Sequence, residues 1–316
     1  MILITGSSGY IGSHLSTYFD KKKIKYIGCD NLSFSYRINI SDKKKHFITD
    51  IGNRNKIEKL IKKNKINTVI HCAASSYVLD VEENKKKSYL NNIKKTKIFI
   101  NTCEKNGVDN FIYLSSSNIY KEKNINEVLL ETSKKYPKNF YGKNKLHIEN
   151  YLKNKSFKNL IILRLFNIIG ILNKKFKVFK FKKNDHQRLI FKILQNIKQN
   201  KETTIYYTQR NDKKIFPGRD FVFILDLIKI VEKIIRILKI KKNIFETFNV
   251  ASGYSTSICK IVSLFKKKYK EEFKINYVKI SKKELIYTKG SNKKLFKFLN
   301  FIPKTNLRNI VKTHYE

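Results

Sequence analysis

The chain has 316 residues, with 68 Lys and Arg against 25 Asp and Glu, which gives a formal net charge of +43. Its length allows one large domain or two closely joined domains, and its apolar runs stay below the ~18 residues that a membrane-spanning helix needs. The first apolar strand begins at Met1, and the four cysteines are scattered singly along the sequence. We therefore expect no targeting segment, membrane span, disulfide framework or metal site, and we predict a soluble protein of the reducing cytoplasm.

The high positive charge has two interpretations. It could be an electrostatic footprint for nucleic acid or an anionic membrane, or a general lysine enrichment of the surface. The lysines recur in short runs, from Lys21–Lys23 to Lys266–Lys268, and arginine, which reads bases better, is scarce beside them. This dispersion favours a solvated surface. We expect no membrane partner and no nucleic-acid partner, whereas small anionic substrates would be attracted.

The first fifteen residues contain a strand, a glycine-rich turn and the start of a helix. Ile2–Thr5 is a short apolar run, Gly6, Gly9 and Gly12 follow it, and apolar residues then recur with a helical period. Such a turn lets the backbone approach a pyrophosphate, and the helix N-terminus binds its charge. Asp30 closes the next strand, near the usual ~20-residue offset for a carboxylate that grips the adenosine ribose. The pattern predicts dinucleotide binding, with NAD favoured over NADP because Asp30 would repel a 2′-phosphate.

Short apolar strands alternate with helical patterns through the first half of the chain. The predicted strands are Ile2–Thr5, Tyr26–Cys29, His46–Ile48, Thr68–His71, Asn110–Leu114 and Leu160–Leu165. The predicted helices between them are Tyr10–Phe19, Asn53–Lys63, Lys87–Lys105 and Tyr141–Asn154. Strict alternation predicts an α/β fold with a doubly wound parallel sheet (a Rossmann sheet), whose ligands lie at the carboxyl ends of the strands.

The alternation becomes irregular after residue 165. The predicted elements are a loop at Ile171–Asn184, a helix at His186–Lys198, strands at Thr204–Tyr207 and Phe221–Phe223, and an amphipathic helix at Asp226–Leu238. This change predicts an NAD-binding Rossmann domain at residues 1–166, with residues 221–250 packing back on it. Residues 167–220 and 251–316 would form a smaller C-terminal α/β cap that binds the substrate.

A tyrosine, a lysine and a serine carry the predicted chemistry. The strand that ends at Leu114 runs into three serines, and Tyr141 and Lys145 follow on one face of a helix, four residues apart. The lysine ammonium and a bound NAD⁺ would lower the pKa of the phenol from about 10 toward neutrality. A serine hydroxyl at the neighbouring strand end would relay the proton while the nicotinamide accepts a hydride from the same carbon.

These motifs resemble the extended branch of the short-chain dehydrogenase/reductase superfamily, the NAD-dependent epimerase/dehydratase family, and are most similar to the group around UDP-glucose 4-epimerase. The segments that carry the resemblance span nearly the whole chain: Thr5–His14, Asp30–Leu32, Asp50–Ile51, Val69–Ala74, Asn91–Ile93, Ser115–Ser116, Tyr141–Lys145, Leu163–Asn167, Arg219–Val222 and Phe248–Val250. The resemblance implies NAD as the cofactor, a nucleotide-diphosphate sugar such as a UDP-sugar as the substrate, and a role in carbohydrate metabolism, for example in cell-envelope polysaccharide synthesis. It also implies a homodimer formed through the helices at Lys87–Lys105 and Tyr141–Asn154.

The resemblance assigns roles by position. Pyrophosphate would be held by Gly6, Gly9, Tyr10, Ile11 and Gly12, the adenosine ribose by Asp30, Asn31 and Ser33, and adenine by Asp50 and Ile51. The path toward nicotinamide would be lined by Cys72, Ala73, Ala74, Asn91 and Phe166. Tyr141 is the implied base, Lys145 its electrostatic partner and Ser116 the relay, chosen over Ser115 and Ser117 because Ser116 lies four residues before Tyr120. The implied substrate contacts are Ser116, Asn167, His186, Arg219 and Lys283.

Departures from the family pattern leave the reaction open. Phe140 and Ile168 stand where prolines are usual, and Lys282 or Lys283 replaces an arginine that meets the nucleotide. Arg219 has a purely structural alternative, an ion pair with Asp220 or Asp226.

Among the possible reactions, nucleotide-sugar 4-epimerisation is favoured. A 4,6-dehydratase would carry Asp-Glu directly after the relay hydroxyl, where this chain has Ser117-Asn118. A 4-keto-sugar reductase and a uronate decarboxylase are the alternatives within the family. A non-catalytic NAD-sensing or nucleic-acid-binding protein on the same scaffold is the distant alternative.

Overall fold

The computed structural model describes residues 1–39, 42–121, 127–172, 193, 196, 199, 201–210, 212–269, 274–279 and 287–303. The strands in these ranges are β1 (Ile2–Thr5), β2 (Tyr26–Asp30), β3 (His46–Ile48), β4 (Thr68–His71), β5 (Asn110–Ser116), β6 (Asn159–Leu165), β7 (Asn167–Ile169), β8 (Thr203–Arg210), β9 (Lys213–Ile215), β10 (Gly218–Arg219), β11 (Phe221–Phe223), β12 (Ile244–Val250), β13 (Thr256–Ser257) and β14 (Ile275–Lys279). The α-helices are α1 (Tyr10–Lys21), α2 (Arg54–Lys63), α3 (Val78–Glu83), α4 (Lys85–Tyr89), α5 (Thr96–Lys105), α6 (Phe140–Leu152), α7 (Ile224–Ile240), α8 (Ile258–Tyr269) and α9 (Lys293–Leu299).

Seven of the described strands form one parallel sheet, in the order β12–β6–β5–β4–β1–β2–β3. The chain lays down β1, β2 and β3 in one direction and then crosses back to place β4 on the other side of β1. The connections that leave the carboxyl ends of β1 and β4 therefore diverge, and open parallel sheets bind ligands at such a switch point. The predicted fold class, a doubly wound α/β sheet, is confirmed.

The central strands are buried on both faces because helices cover both sides of the sheet. Ile2 and Ile4 of β1 pack in a cluster with α1 and α7, whereas Leu3 packs in a second cluster with α2, α5 and α6. The same alternation recurs in β5, where Phe111 belongs to the second cluster and Ile112 to the first. This double cover explains why these strands are nearly continuous apolar runs in the sequence.

The second half of the chain adds smaller sheets within the described ranges. β7 pairs with β11, β10 pairs with β13, and β8 lies between β9 and β14, while Ile205, Phe221 and Phe265 share an apolar cluster. α7 and β12 lie on the large sheet, but the domain boundaries drawn from the sequence stay a prediction. The loop predicted at Ile171–Asn184 and the helix predicted at His186–Lys198 fall mostly outside the described residues. No helix in the described part of the chain has both the length and the hydropathy required to cross a membrane.

The helix predicted at Lys87–Lys105 is interrupted in the structure. A π-helical turn at Leu90–Lys95 separates α4 from α5. Two consecutive asparagines in this turn both reach Ser75: Asn91 Nδ2 donates to Ser75 Oγ at 3.0 Å, and Ser75 N donates to Asn92 Oδ1 at 2.7 Å. These bonds attach the wide turn to the loop after β4, in keeping with the frequent occurrence of π turns at functional sites.

Candidate active site

A cavity of about 430 Å³ lies at the carboxyl ends of the central strands. The predicted site residues that line it are Gly6, Gly9, Tyr10, Ile11, Gly12, Asp30, Asn31, Ile51, Cys72, Ala73, Ala74, Asn91, Ser116, Tyr141, Lys145, Phe166 and Asn167. Of the predicted site residues that the structure describes, Ser33, Asp50 and Arg219 do not contribute to the lining. His186 and Lys283 lie outside the described residues.

The glycine-rich turn after β1 forms one wall of the cavity. Gly6 has a φ of +65°, and a Cβ atom at this position would lie 2.8 Å from the backbone nitrogen of Ala73. Only glycine allows this combination of a left-handed backbone and a close approach to the loop after β4. α1 then begins after Gly9, which supplies no side-chain cap, and the N-terminus of a helix is an arrangement that binds anions. The hydroxyl of Tyr10 donates to the carbonyl oxygen of Gly170 at 2.6 Å, which links α1 to the end of β7.

Asp30 is held at the end of β2 by two backbone donors. Ser8 N donates to its Oδ2 at 3.1 Å and Leu32 N donates to its Oδ1 at 2.8 Å. Ser33 is exposed in the turn that follows, whereas Phe34 and Ser35 line the cavity. Sequence reasoning missed these two residues because Leu32, with a φ of +57°, turns the chain in a way that its residue type does not indicate.

Asp50 lies outside the cavity lining and contacts residues on two neighbouring segments. Its Oδ2 accepts from Lys95 Nζ at 2.6 Å and from Asn31 Nδ2 at 2.8 Å. Asp50 thereby connects the turn after β2 to the π-helical segment. Its neighbour Ile51 is buried and lines the cavity.

Tyr141 and Lys145 lie in the first two turns of α6 and both face the cavity. Lys145 is 6% exposed, and its Nζ donates to the carbonyl oxygen of Leu114 at 2.7 Å. The same Nζ lies 5.8 Å from the centre of the Tyr141 ring and 4.9 Å from the centre of the Tyr113 ring. Burial lowers the pKa of Lys145 to about 8. The ammonium is therefore charged at neutral pH and sits against the two phenol rings.

The serines at the end of β5 have different surroundings. The hydroxyl of Ser115 donates to Glu149 Oε1 at 2.6 Å, whereas Ser116 Oγ accepts from the backbone N–H of Asn118 at 3.2 Å. Ser116 thus keeps its own hydroxyl proton available toward the cavity, while the hydroxyl proton of Ser115 is used inside the protein. α6 approaches this turn so closely that a Cβ atom on Gly142 would clash with the carbonyl oxygen of Asn118.

A buried polar network supports the serine turn from below. Arg164 Nη2 donates to Glu149 Oε2 at 2.8 Å, and its Nη1 donates to the hydroxyl of Tyr120 at 2.9 Å. The Tyr120 hydroxyl in turn donates to Asn249 Oδ1 at 2.6 Å. The network joins β5, α6, β6 and β12 beneath the cavity. Arg164 is the available sequence signal for it, since this residue interrupts an otherwise apolar strand.

A second buried carboxylate organises the side of the cavity near β7. Asp220 is fully buried, and its Oδ1 accepts from Ser252 N and Ser252 Oγ, both at 2.7 Å. Its Oδ2 accepts from Gly253 N at 3.2 Å and Gly290 N at 3.0 Å. The backbone N–H of Asn167 donates to the carbonyl oxygen of Asp220 at 3.0 Å. Asp220 therefore holds three chain segments around Asn167, and burial raises its pKa.

Arg219 lies next to Asp220 in β10, and its Nη1 donates to the carbonyl oxygen of Gly218 at 3.2 Å. The carboxylate of Asp220 is already bonded to Ser252, Gly253 and Gly290. The structure places Asn167 in the cavity lining, and Arg219 does not contribute to that lining.

The parallel sheet with a glycine turn at its switch point, and a tyrosine–lysine pair in the same cavity, define an NAD-binding fold of the extended short-chain dehydrogenase/reductase type. The chain belongs to the NAD dependent epimerase/dehydratase family, whose family model matches residues 2–251. NAD is accordingly its cofactor. Among the described residues, no group of three or more His, Cys, Asp or Glu side chains is placed to hold a metal ion.

The chain is similar to proteins with more than one activity. It is 27% identical to UDP-arabinose 4-epimerase 1 of Arabidopsis thaliana, over 99% of this chain and 78% of that protein. It is 30% identical to dTDP-D-glucose 4,6-dehydratase of Dictyostelium discoideum, over 81% of this chain and 59% of that protein. The solved structure of the UDP-Glc/GlcNAc 4-epimerase from Campylobacter jejuni has a TM-score of 0.83 at 28% identity, with 99% of this chain and 97% of that chain covered.

Proposed function

We propose that the protein is an NAD-dependent 4-epimerase of nucleotide sugars, with a UDP-hexose or its N-acetyl form as the substrate. The observation that carries the proposal is that Ser116, Tyr141 and Lys145 line the same cavity as the glycine turn at Gly6. A proton relay placed beside a dinucleotide site is needed where a hydroxyl is oxidised or a carbonyl is reduced. A purely NAD-sensing protein has no use for it.

The residues around the cavity fit NAD. The turn at Gly6 leaves room for a pyrophosphate, and Asp30 lies at the ribose end with its carboxylate fixed by Ser8 and Leu32. When bound, NAD would supply reversible hydride acceptance at the sugar C4.

Tyr141 would act as the base on the sugar 4-hydroxyl. The buried ammonium of Lys145 would stabilise its phenolate, and the hydroxyl of Ser116 would pass the proton between sugar and phenol. The carbonyl of Leu114 and the packing against Tyr113 fix the lysine in place. These three side chains would then return the proton once the sugar has turned over in the site.

The diphosphate would be bound on the side of the cavity near β7. Asn167 lines that wall. Arg219 lies outside the lining, next to Asp220, and would have to turn its guanidinium toward the cavity to bind phosphate oxygens as a planar donor fork. Asp220 would fix the position of Asn167, because its carbonyl oxygen accepts the backbone N–H of Asn167. Binding concentrated on the diphosphate leaves the sugar free to rotate, as epimerisation requires.

A 4,6-dehydratase is the second candidate, because one relative carries that name at 30% identity. Elimination of water needs an additional acid and base next to the sugar. Asp30 is the only carboxylate among the described residues that line the cavity, and it lies at the end of β2, away from Ser116 at the end of β5. Ser117 and Asn118 occupy the places next to the relay hydroxyl. The site chemistry therefore favours epimerisation.

The proposal is tested by incubating purified protein with UDP-glucose, UDP-galactose, their N-acetyl forms and dTDP-glucose, without added cofactor. We expect interconversion of at least one pair of UDP-sugar 4-epimers. A 4-keto-6-deoxy product from dTDP-glucose would replace the proposal with dehydration. Consumption of a 4-keto sugar only when reduced cofactor is added would replace it with reduction, and tight, salt-sensitive nucleic-acid binding without sugar turnover would favour the non-catalytic alternative.

We also propose a homodimer formed through α4, α5 and α6. Tyr89, Leu90 and Ile98 are large apolar side chains on this side of the molecule and are each at least 40% exposed. Their burial against a second copy would remove an apolar surface from water. A molar mass close to twice 37.5 kDa by light scattering is expected, and a monomer mass would contradict the proposal.

A further inference from the structure

The helix that carries Tyr141 has an unusual link at its first residue. Phe140 is the first residue of α6, where a backbone N–H has no partner within the helix. Glu82 of α3 supplies the partner, since its Oε1 accepts the backbone N–H of Phe140. A hydrogen bond to a charged acceptor is stronger than one to a neutral acceptor. The side chain of Glu82 is about one-third exposed, and Lys85 Nζ lies 3.6 Å from its other oxygen.

Two other bonds at this end of α6 hold different residues. Asn139 caps the helix by accepting the N–H of Gly142 at 2.7 Å. One turn further on, Asn144 Nδ2 donates to Ser88 Oγ at 2.9 Å. The glutamate therefore holds the residue directly before Tyr141, and the other two bonds hold later residues.

The other end of the link leads back to the cavity. α3 begins immediately after Tyr77, and both Tyr77 and Val78 line the cavity beside Ala73 and Ala74. The loop after β4, α3, Glu82 and the first turn of α6 thus form a closed ring around one side of the site. A shift of α3 would be transmitted to the backbone of Tyr141 through this bond.

The backbone before Phe140 has a conformation that would also accept a proline at position 140. Proline suits the first helical position because it has no N–H and a preset φ. Asn139, the residue before it, has φ −105° and ψ 158°, which is the extended conformation that a following proline requires. A proline at 140 would therefore fit the backbone and would leave Glu82 without a donor to accept from.

We propose that Glu82 is a positioning residue that fixes the start of α6, and with it Tyr141, by holding the backbone N–H of Phe140. The inference rests on the proposed function, because it concerns the helix of the proposed base. Its role depends on the N–H at position 140, and this dependence separates it from a general contribution to folding.

The test compares substitutions at 82 in three backgrounds. Glu82→Ala lowers kcat about tenfold with KM within about twofold, because the base is misplaced while the substrate contacts are intact. Glu82→Gln keeps an oxygen acceptor and stays within about twofold of the unmodified protein. Glu83→Ala removes the adjacent exposed carboxylate of α3 and serves as the matched control, with kcat unchanged.

The decisive comparison uses the background at position 140. In Phe140→Pro, adding Glu82→Ala changes neither kcat nor KM, because no N–H is left to hold. In Phe140→Ala, which loses the ring but keeps the N–H, adding Glu82→Ala still lowers kcat about tenfold. An equal loss in the proline background, or full activity of Glu82→Ala, overturns the proposal.

Amide hydrogen exchange of the peptide that covers the start of α6 provides a readout that needs no turnover. We expect faster exchange in Glu82→Ala and in the Phe140→Ala double variant, and no further increase when Glu82→Ala is added to Phe140→Pro. If the unmodified protein turns over no sugar, the proposed function fails and exchange alone decides the positioning role. Unchanged exchange in Glu82→Ala overturns it.

Discussion

The two sides of the cavity are built in different ways. The side formed by β1, β4, β5 and α6 consists of backbone and side chains that come directly from the ends of regular elements, such as Gly6 after β1 and Lys145 in α6. The side near β7 consists of short segments that are distant in sequence and are gathered by the carboxylate of Asp220. We call them the redox side and the phosphate side.

Under the proposed function, this difference would separate the chemistry from the choice of substrate. The redox side depends on regular elements whose geometry changes little, so it can hold a base and a cofactor within the narrow tolerances that catalysis requires. The phosphate side depends on loops, which accept sequence changes more readily. We therefore expect substitutions on the redox side to abolish turnover, and substitutions on the phosphate side to alter substrate affinity.

The largest effect is expected at the glycine turn. Gly6→Ala places a Cβ atom 2.8 Å from the Ala73 backbone, and we expect loss of bound NAD and a fall in activity of at least about 100-fold. Gly107→Ala is the matched control, because Gly107 has a similar φ of +70° with no atom within 4 Å of the added Cβ. The measurement is NAD content after gel filtration. Equal NAD loss in both variants would show that backbone strain alone, and not the close approach, matters.

The next effect concerns the ammonium on the redox side. Lys145→Met removes the charge beside Tyr141, and we expect kcat to fall about 10²–10³-fold. Lys143→Met, which changes an exposed lysine of the same helix, leaves kcat unchanged. Because burial lowers the pKa of Lys145 to about 8, the charge is present below this pH and is lost above it. The kcat of the unmodified protein should accordingly decline as the pH rises past about 8, and a profile flat to pH 10 would contradict this role.

A smaller effect is expected on the phosphate side. The Asp220 carboxylate accepts hydrogen bonds from donors on Ser252 and Gly290. In Asp220→Asn one oxygen becomes an NH₂ group that faces these donors, so the two segments separate. We expect KM for the nucleotide sugar to rise about tenfold with unchanged NAD content. The exposed Asp212→Asn is the control. Loss of NAD in Asp220→Asn would mean that the two sides are not independent.

A separate effect is on stability rather than on activity and concerns two histidines under the redox side. Thr5 Oγ1 and His71 Nδ1 are hydrogen-bonded at 2.8 Å, and Ser7 Oγ and His46 Nδ1 at 2.9 Å. Burial lowers the pKa of His46 to about 4 and that of His71 to about 3. The unfolded chain binds protons first, near pH 6.5, so stability that is complete above about pH 6.5 is lost as the pH falls toward 4.

This loss is measured by urea unfolding at a series of pH values. We expect the free energy of unfolding to fall by about 1.4 kcal/mol per pH unit for each imidazole between about pH 6.5 and pH 4. His46→Asn should reduce this pH dependence of the free energy of unfolding by about 1.4 kcal/mol per pH unit, the contribution of one imidazole. A free energy of unfolding that does not change over this interval would contradict the assignment.

The sequence predicted the redox side better than the phosphate side, and the reasons are physical. The strands Ile2–Thr5 and Thr68–His71 have the predicted ends because buried parallel strands are short apolar runs bounded by polar or glycine residues. The edge strand His46–Ile48 also has the predicted ends, although Phe47 and Ile48 are exposed. Helix α3 was missed because it has six residues and is stabilised by tertiary contacts such as that of Glu82 with Phe140. The π turn was missed because its bonds to Ser75 connect it to a different loop, which the local sequence pattern does not indicate.

The site residues show the same limit. Residues of a contiguous motif, such as Tyr141 and Lys145, were predicted from their spacing together with the accompanying motifs, and both line the cavity. Phe34 and Ser35 line the cavity in place of the predicted Ser33, because a left-handed residue before them redirects the chain. The roles of all site residues stay predictions, as do the cytoplasmic location and the absence of a nucleic-acid partner.

The base role of Tyr141 is tested most directly with a UDP-sugar substrate that carries deuterium at C4. In the unmodified protein the deuterium stays at C4 of the epimerised product, and Tyr141→Phe lowers the rate about 10²–10⁴-fold while NAD remains bound. Tyr113→Phe, which changes the other ring against Lys145, keeps the rate. Release of deuterium to water, or a Tyr141→Phe rate comparable to that of Tyr113→Phe, would contradict the account.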